Sequence, residues 1–291
     1  MELEPIDVTL VVPCYNVVET LPQALAAIDR LNPSPSRVVC IDDGSTDGTR
    51  SVIEANDGVE LIAHSDNKGL GSTLNTALND TTTPGLAKVD ADIVIEPDWL
   101  EKLCRHCTER RAALVYGRFE DEVTTVADRW RRKHLSSFFP KEPVYNRAIN
   151  GSNVLCRVDA LREIGGWDER YRRAFDDIDL MQRLIRADHT VYYTPDVSVT
   201  HIRTDTWSEV LLTSWAYHSD PIFDSDAPGR IRQLPFRLPF HLCDTTERVY
   251  SDIGQGDLDL LCISLSCFFS HVRQDFEAVF SDRSAGRSSS R

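Results

Sequence analysis

The sequence predicts an α/β fold, a Rossmann-like and mostly parallel sheet flanked by helices, followed by a less regular half and a carboxyl-terminal extension. Three observations carry this. Short apolar runs alternate with segments whose apolar residues recur at helical spacing. Polar loops follow the first, second and fourth of those runs, where an open parallel sheet presents one edge. The 291 residues are enough for one large domain or two closely packed ones.

In order, Ile6 to Val12 reads as a strand covered on both faces, stopping at Pro13. Leu21, Leu25, Ile28 and Leu31 mark a helix with Thr20 as cap and Pro22 in its first turn. Arg37 to Ile41 is the second strand, and the polar loop from Asp42 to Thr49 leads to a helix around Val52 and Ile53. Val59 to Ala63 is the third strand, and Leu70, Leu74, Ala77 and Leu78 mark the third helix. Leu86 to Val89 is the fourth strand, delivering Asp90 and Asp92. Trp99, Leu100, Leu103, Cys104 and Cys107 form the next helical stripe, and Ala112 to Tyr116 the next strand. Right-handed crossovers then bring Pro13 to Asn16, Asp42 to Ser45 and Asp90 to Asp92 together.

Beyond Gly117 the pattern weakens. A helical segment between Asp121 and Phe139 carries Arg129, Arg131, Arg132, Lys133 and His134, readable as a solvated face or as a site for an anionic acceptor or lipid headgroup. Asn153 to Arg157 returns to strand, and Ile178, Met181, Leu184 and Ile185 form a helical face. Val191 to Tyr193 and Val197 to Thr200 read as two short strands. From about Pro221 the signals are mixed, and the closing Ser-Ala-Gly-Arg-Ser-Ser-Ser-Arg is expected to be disordered. The expected divisions are 1-116, 117-220 and, as an extension, 221-291.

Composition narrows the partners. Against 32 Lys and Arg stand 46 Asp and Glu, a formal charge of -14, which repels nucleic acid and anionic lipid at long range. A Lys-poor acidic coat also suggests work in concentrated salt, as in a halophilic archaeon. The 8 cysteines follow no pairing pattern and no signal segment precedes the first strand, so a reducing cytoplasm is expected. Cys104 and Cys107 bracket His106, but no second pair follows at zinc spacing, and buried thiols are the preferred reading. The longest apolar run, Leu258 to Phe269, is too short to span a bilayer, leaving at most peripheral contact with the inner membrane face.

Several motifs in order then resemble the inverting GT-A glycosyltransferases of family 2, from about Val8 to about Trp215. Leu10-Val11-Val12-Pro13-Cys14-Tyr15-Asn16 looks like the family's first strand and nucleotide-facing turn. Val39 to Thr49 is close to its consensus, and Asn67-Lys68-Gly69-Leu70-Gly71 matches the next loop. Asp90-Ala91-Asp92 matches its Asp-x-Asp. Gly165-Gly166-Trp167-Asp168-Glu169 and Phe175 to Leu180 match its acceptor-side motifs.

The resemblance implies transfer of a sugar from a nucleotide diphosphate sugar, with 1-116 as the nucleotide-sugar-binding half and 117-220 as the acceptor-binding and catalytic half, and the residue chemistry agrees with it. Pro13, Tyr15, Asn16, Asp43, Lys68 and Asp90 are the expected nucleotide contacts. Asp43 would meet the uracil edge and Tyr15 supply a flat contact. Asp92, with His201, is expected to hold a divalent metal, Mn or Mg, that stabilises the departing diphosphate. Asp177 is the expected base, with Trp167, Asp168 and Asp176 on the acceptor side. Asp-x-Asp alone is an ordinary acidic turn, and Asp176, Asp177 and Asp179 could simply cap a helix. Asp176 stands where the family usually has Glu. The Gln-x-x-Arg-Trp signature of processive synthases is absent, so one sugar per event is expected. A glycan on a polyprenyl or dolichyl phosphate is the favoured acceptor. The rival readings are a nucleotidyltransferase, which should carry a Gly-rich basic loop after its first strand, and a non-catalytic nucleotide-binding partner.

Overall fold

The first strand, β1 (Val8–Cys14), begins at Val8 because Pro5–Asp7 form a 3-10 turn that leaves Ile6 exposed. It also runs through Pro13 rather than stopping there. Its neighbour on one side ends pairing at Val11, so the missing N–H of Pro13 falls where β1 has a partner on one edge only. This is a computed structural model, describing residues 2–136, 139–171, 175–223 and 227–280. The expected disorder of residues 284–291 lies outside the described residues.

The chain continues through α1 (Leu21–Ile28), β2 (Arg37–Asp42), α2 (Thr49–Glu54), β3 (Glu60–Ala63), α3 (Leu70–Asp80) and β4 (Gly85–Val89). A two-residue β5 (Ile93–Val94), α4 (Trp99–Glu109) and β6 (Leu114–Asp121) follow. After α5 (Val126–Leu135) come β7 (Val144–Tyr145), β8 (Asn153–Arg157), α6 (Val158–Glu163), α7 (Asp176–Arg186) and β9 (Val191–His201). The sheet order is β3-β2-β1-β4-β8-β6-β9-β5, with β7 paired to β9. Strands β3, β2, β1 and β4 are all parallel, as is β6 with β9. β8 enters antiparallel between β4 and β6.

Alternation along β1 explains the layering. Val8, Leu10 and Val12 join one core with Leu25, Trp99 and Leu103, while Val11 joins another with Leu74, Leu180 and Leu184. Helices therefore cover both faces, and the carboxyl ends of β1, β2 and β4 remain open as the site edge. Cys104 and Cys107 are buried in the first core, and burial pushes the Cys104 thiol up to about 12, so they are packing thiols.

Two compact units emerge, Met1–Glu122 with Phe138–Arg203, and Val123–Ser137 with Thr204–Arg291. In the second unit α5 packs with α8 (Trp207–Phe223), α9 (Ala227–Gln255) and α10 (Leu261–Phe280), its Trp130 sharing a small core with Val210, Ile263 and Cys267. The basic side of α5 is largely matched by acids. Lys133 meets Asp252 at 3.0 Å and Asp257 at 2.7 Å, His134 meets Asp252 at 2.8 Å, Arg129 pairs with Asp259, and Arg131 with Asp205. Carboxylates thus take up much of its charge, while Arg132 stays exposed. Among the described residues no helix is long and apolar enough to cross a membrane.

Candidate active site

Loops after β1 and β2 are tied together by short polar side chains. Asn16, with φ of 53°, accepts the Thr46 N–H at 2.8 Å, and its own N–H donates to Ser45 Oγ at 3.0 Å. Gly44, with φ of 74°, lets the second loop press against the next one. A Cβ there would lie 2.6 Å from the Asp66 carbonyl carbon. The result is an open cleft of 620 Å³ lined by Pro13, Cys14, Tyr15 and Asp43 from the strand ends, and by Asn67, Gly69, Leu70 and Thr73. Of the expected nucleotide contacts, Pro13, Tyr15 and Asp43 are in this lining. Asn16 spends its amide oxygen on joining loops. Lys68 is an exposed residue whose backbone N–H donates to Asp43 Oδ1 at 3.0 Å. Burial alone would raise the Asp43 carboxyl, but the His64 ring and the N–H groups of Lys68 and Gly69 more than offset it and hold it below its usual value.

The Asp-x-Asp turn opens beside β9. The antiparallel pair of β5 and β9 sets Ile93 opposite His201, bringing His201 Nε2 to 3.1 Å from Asp92 Oδ2. On its other side His201 Nδ1 lies 2.7 Å from Asp121 Oδ1. These residues fit a divalent cation. A carboxylate and an imidazole already touch, and a second carboxylate holds the far ring nitrogen, the arrangement that fixes a metal-binding histidine. Among the described residues no three His, Cys, Asp or Glu form a ready cage. Burial would raise both aspartates. His201 and Arg203 bring Asp92 below its usual value, whereas Asp90 stays raised despite Lys88.

Lys88 lies in a strand buried along its length, where a lysine must find acids or carbonyls. Its Nζ is 2.5 Å from Asp90 Oδ1 and donates to the Gly151 carbonyl at 2.8 Å. The Gly151 N–H donates in turn to Asp177 Oδ2 at 2.6 Å, and the Ile178 N–H to Oδ1 at 2.7 Å. Position 151 has to be glycine, since a Cβ would stand 2.5 Å from that of Asp177. Asp176 and Asp177 open α7 after Phe175, held at φ of 70°. Burial raises Asp177 despite Lys88 and its N–H donors, and burial with the Asp177 charge pushes Asp176 up to about 7.

Trp167 is 4% exposed and packs in the core with Leu180 and Met181. It lines the same enclosed 10 Å³ space as Lys88, Gly151, Asp176 and Asp177, acting as an apolar wall that helps dry the carboxylates. Asn75 clamps its backbone, accepting the N–H at 2.8 Å and donating to the carbonyl at 2.9 Å. Asp168 is engaged by Arg170 at 2.6 Å, and that hydrogen bond is the main cause of its fall to about 2. Lys88, Gly151 and Asp121 were not singled out by sequence reasoning. A lysine inside an apolar strand and an Asn-Gly-Ser turn before β8 were the available signals for the first two, and Asp121 had none.

The family model for glycosyl transferase family 2 matches residues 9–163. The chain is 30% identical over 205 residues to a pre-mycofactocin glycosyltransferase of Mycobacterium tuberculosis, covering 67% of this chain and 42% of that relative, so it spans about two fifths of the relative's length. It is 37% identical over 173 residues to an uncharacterized glycosyltransferase of Mycobacterium bovis, 56% of this chain and 73% of the other. Among solved structures, the mannosyltransferase PcManGT of Pyrobaculum calidifontis, in complex with GDP-Man and Mn2+, superposes with a TM-score of 0.59 at 16% identity, over 93% of this chain and 87% of that one. The sheet and its flanking helices are those of the GT-A fold. With the family's model covering more than half of its length, the chain belongs to glycosyl transferase family 2.

Proposed function

We propose that the protein transfers one sugar, with inversion, from a uridine diphosphate sugar to a hydroxyl of a glycan carried on a polyprenyl or dolichyl phosphate at the cytoplasmic membrane face. In this reading the base and ribose lie in the cleft of Pro13, Tyr15 and Asp43, with Asp90 toward the ribose. Asp92 and His201 would hold Mn or Mg, which when bound offsets charge gathering on the diphosphate. Asp177 takes the proton of the acceptor hydroxyl. The oxygen's electron pair then forms the bond to the anomeric carbon while the bond to the diphosphate oxygen breaks, its pair leaving with the diphosphate. Attack from the face opposite the leaving group inverts the centre. Lys88 steadies Asp90 and, through Gly151, the loop against Asp177.

One observation carries the proposal, the polar chain from Asp90 through Lys88 and Gly151 to Asp177. It sets a carboxylate with raised proton affinity beside the Asp-x-Asp segment. The test is a thermal-shift panel of UDP, GDP, TDP and CDP, with and without Mn, in high-potassium buffer suited to an acidic, salt-adapted surface. A rise with UDP that needs Mn is expected, and the apo midpoint should climb with potassium chloride. No rise with any nucleotide would favour a non-catalytic partner.

A further inference from the structure

His64, just after β3, is buried against Asp43 at the foot of the nucleotide cleft. Its Nδ1 lies 2.7 Å from Asp43 Oδ1 and its Nε2 lies 3.0 Å from Thr76 Oγ1 on α3. We propose that His64 is a positioning residue that selects the donor's base: by occupying Asp43 it leaves a single acceptor position, suited to a base with one imide N–H. This rests on the cleft being a nucleotide site.

The argument is a count of lone pairs. An ionised carboxylate offers about four acceptor positions, two on each oxygen. Oδ1 takes His64 Nδ1 and the Lys68 N–H at 3.0 Å, while Oδ2 takes the Gly69 N–H at 2.9 Å. One position is left, on Oδ2, and Asp43 lines the cleft. Uracil and thymine present one N–H between two carbonyls and need one acceptor. Guanine presents two N–H groups along one edge and would need both oxygens, displacing His64 or the Lys68 N–H. Cytosine can offer one exocyclic N–H to that position, but then sets its unprotonated ring nitrogen beside the carboxylate, acceptor near acceptor. Because an ionised carboxylate only accepts, Nδ1 carries the hydrogen whatever the state of Nε2. Thr76 restrains the far side of the ring and is itself anchored, donating to the Ser72 carbonyl at 3.1 Å. The ring and Asp43 side chains are each 5% exposed, so neither contact is readily replaced by water.

The test compares His64→Asn, whose amide nitrogen can stand in for Nδ1, with His64→Gln, whose amide reaches toward Thr76 instead. Calorimetric titration with UDP, TDP, GDP and CDP in Mn is run on both variants and the wild type, with apo melting to confirm folding. The wild type should bind UDP and TDP more tightly than GDP and CDP, and His64→Asn should keep that order. His64→Gln should bind UDP about tenfold more weakly or worse and lose much of the UDP-to-GDP ratio. With a UDP-sugar, its KM should rise while kcat at saturation holds. A His64→Gln protein that binds like the wild type overturns the inference, as does His64→Asn failing equally, which would mark a packing role. Should His64→Gln not fold, His64→Asn decides alone, by keeping or losing the base order. Wild type preferring GDP overturns the base assignment and leaves the transferase reading in place; wild type binding no nucleotide overturns both.

Discussion

Acting as a base asks Asp177 to hold a proton more tightly than an ordinary carboxylate, and its surroundings push it in that direction. Burial raises its proton affinity, while Lys88 and the N–H groups of Gly151 and Ile178 keep it from rising further. Replacing Asp177 with Asn should lower kcat by about 100- to 10,000-fold, with calorimetric UDP affinity in Mn unchanged. Lost nucleotide binding would show the carboxylate to be structural. As pH falls through the raised value the base becomes protonated, so the acidic limb of kcat/KM should lie above the ordinary carboxylate range of about 4. Lys88→Met removes a cation that lowers the Asp177 value, so that limb should move to higher pH. A limb that stays put would separate Lys88 from the base. Asp177 could be picked out as a candidate because it sits in a motif whose order survives in the sequence. The burial of Trp167 could not be read, because a tryptophan after two glycines carries no local sign of which way its ring turns.

Strand pairing, at the scale of elements, assembles what no local motif contains. His201 is 109 residues from Asp92 and meets it because β5 and β9 are antiparallel in a particular register. That register in turn depends on β6 and β9, whose pairing shifts at Gly117, where a Cβ would lie 2.3 Å from the Val197 carbonyl oxygen. Apolar runs in the sequence located most strands but could not name their partners. The antiparallel insertion of β8 was therefore invisible, and Thr194-Pro195-Asp196 made β9 read as two pieces. Asp121 reaches His201 by the same pairing. Asp121→Asn should weaken Mn binding about 10- to 100-fold, read as the metal concentration needed to stabilise the UDP complex in thermal shift. An unchanged Mn requirement would mean that Asp121 only packs against the ring.

At the scale of the whole molecule, the least legible part is the second unit, and its interior explains why. Pro235 and Pro239 stand inside α9, and Arg237 and His241 between and after them face inward, so no apolar period survives to be read. Asp275 of α10 binds Arg237 through both oxygens at 2.6 and 2.7 Å, His241 at 2.7 Å and the Trp215 indole N–H at 2.8 Å, all buried. Such a network adds little net stability over an apolar core, yet removing one charge is costly because the other stays buried. Asp275→Asn should therefore cost about 3–5 kcal/mol of unfolding free energy, whereas Arg237→Met combined with Asp275→Leu should cost less than the single change. Burial would raise the Asp275 carboxyl, but His241, Arg237 and Trp215 outweigh it and bring it to about 2. Since the folded value is depressed, its contribution is complete above the unfolded value near about 4 and disappears as pH falls toward 2. The stability gap between wild type and Asp275→Asn should then narrow across that interval in denaturant titrations. A gap that stays constant down to pH 2 would show that the carboxylate's charge is not what holds these helices together.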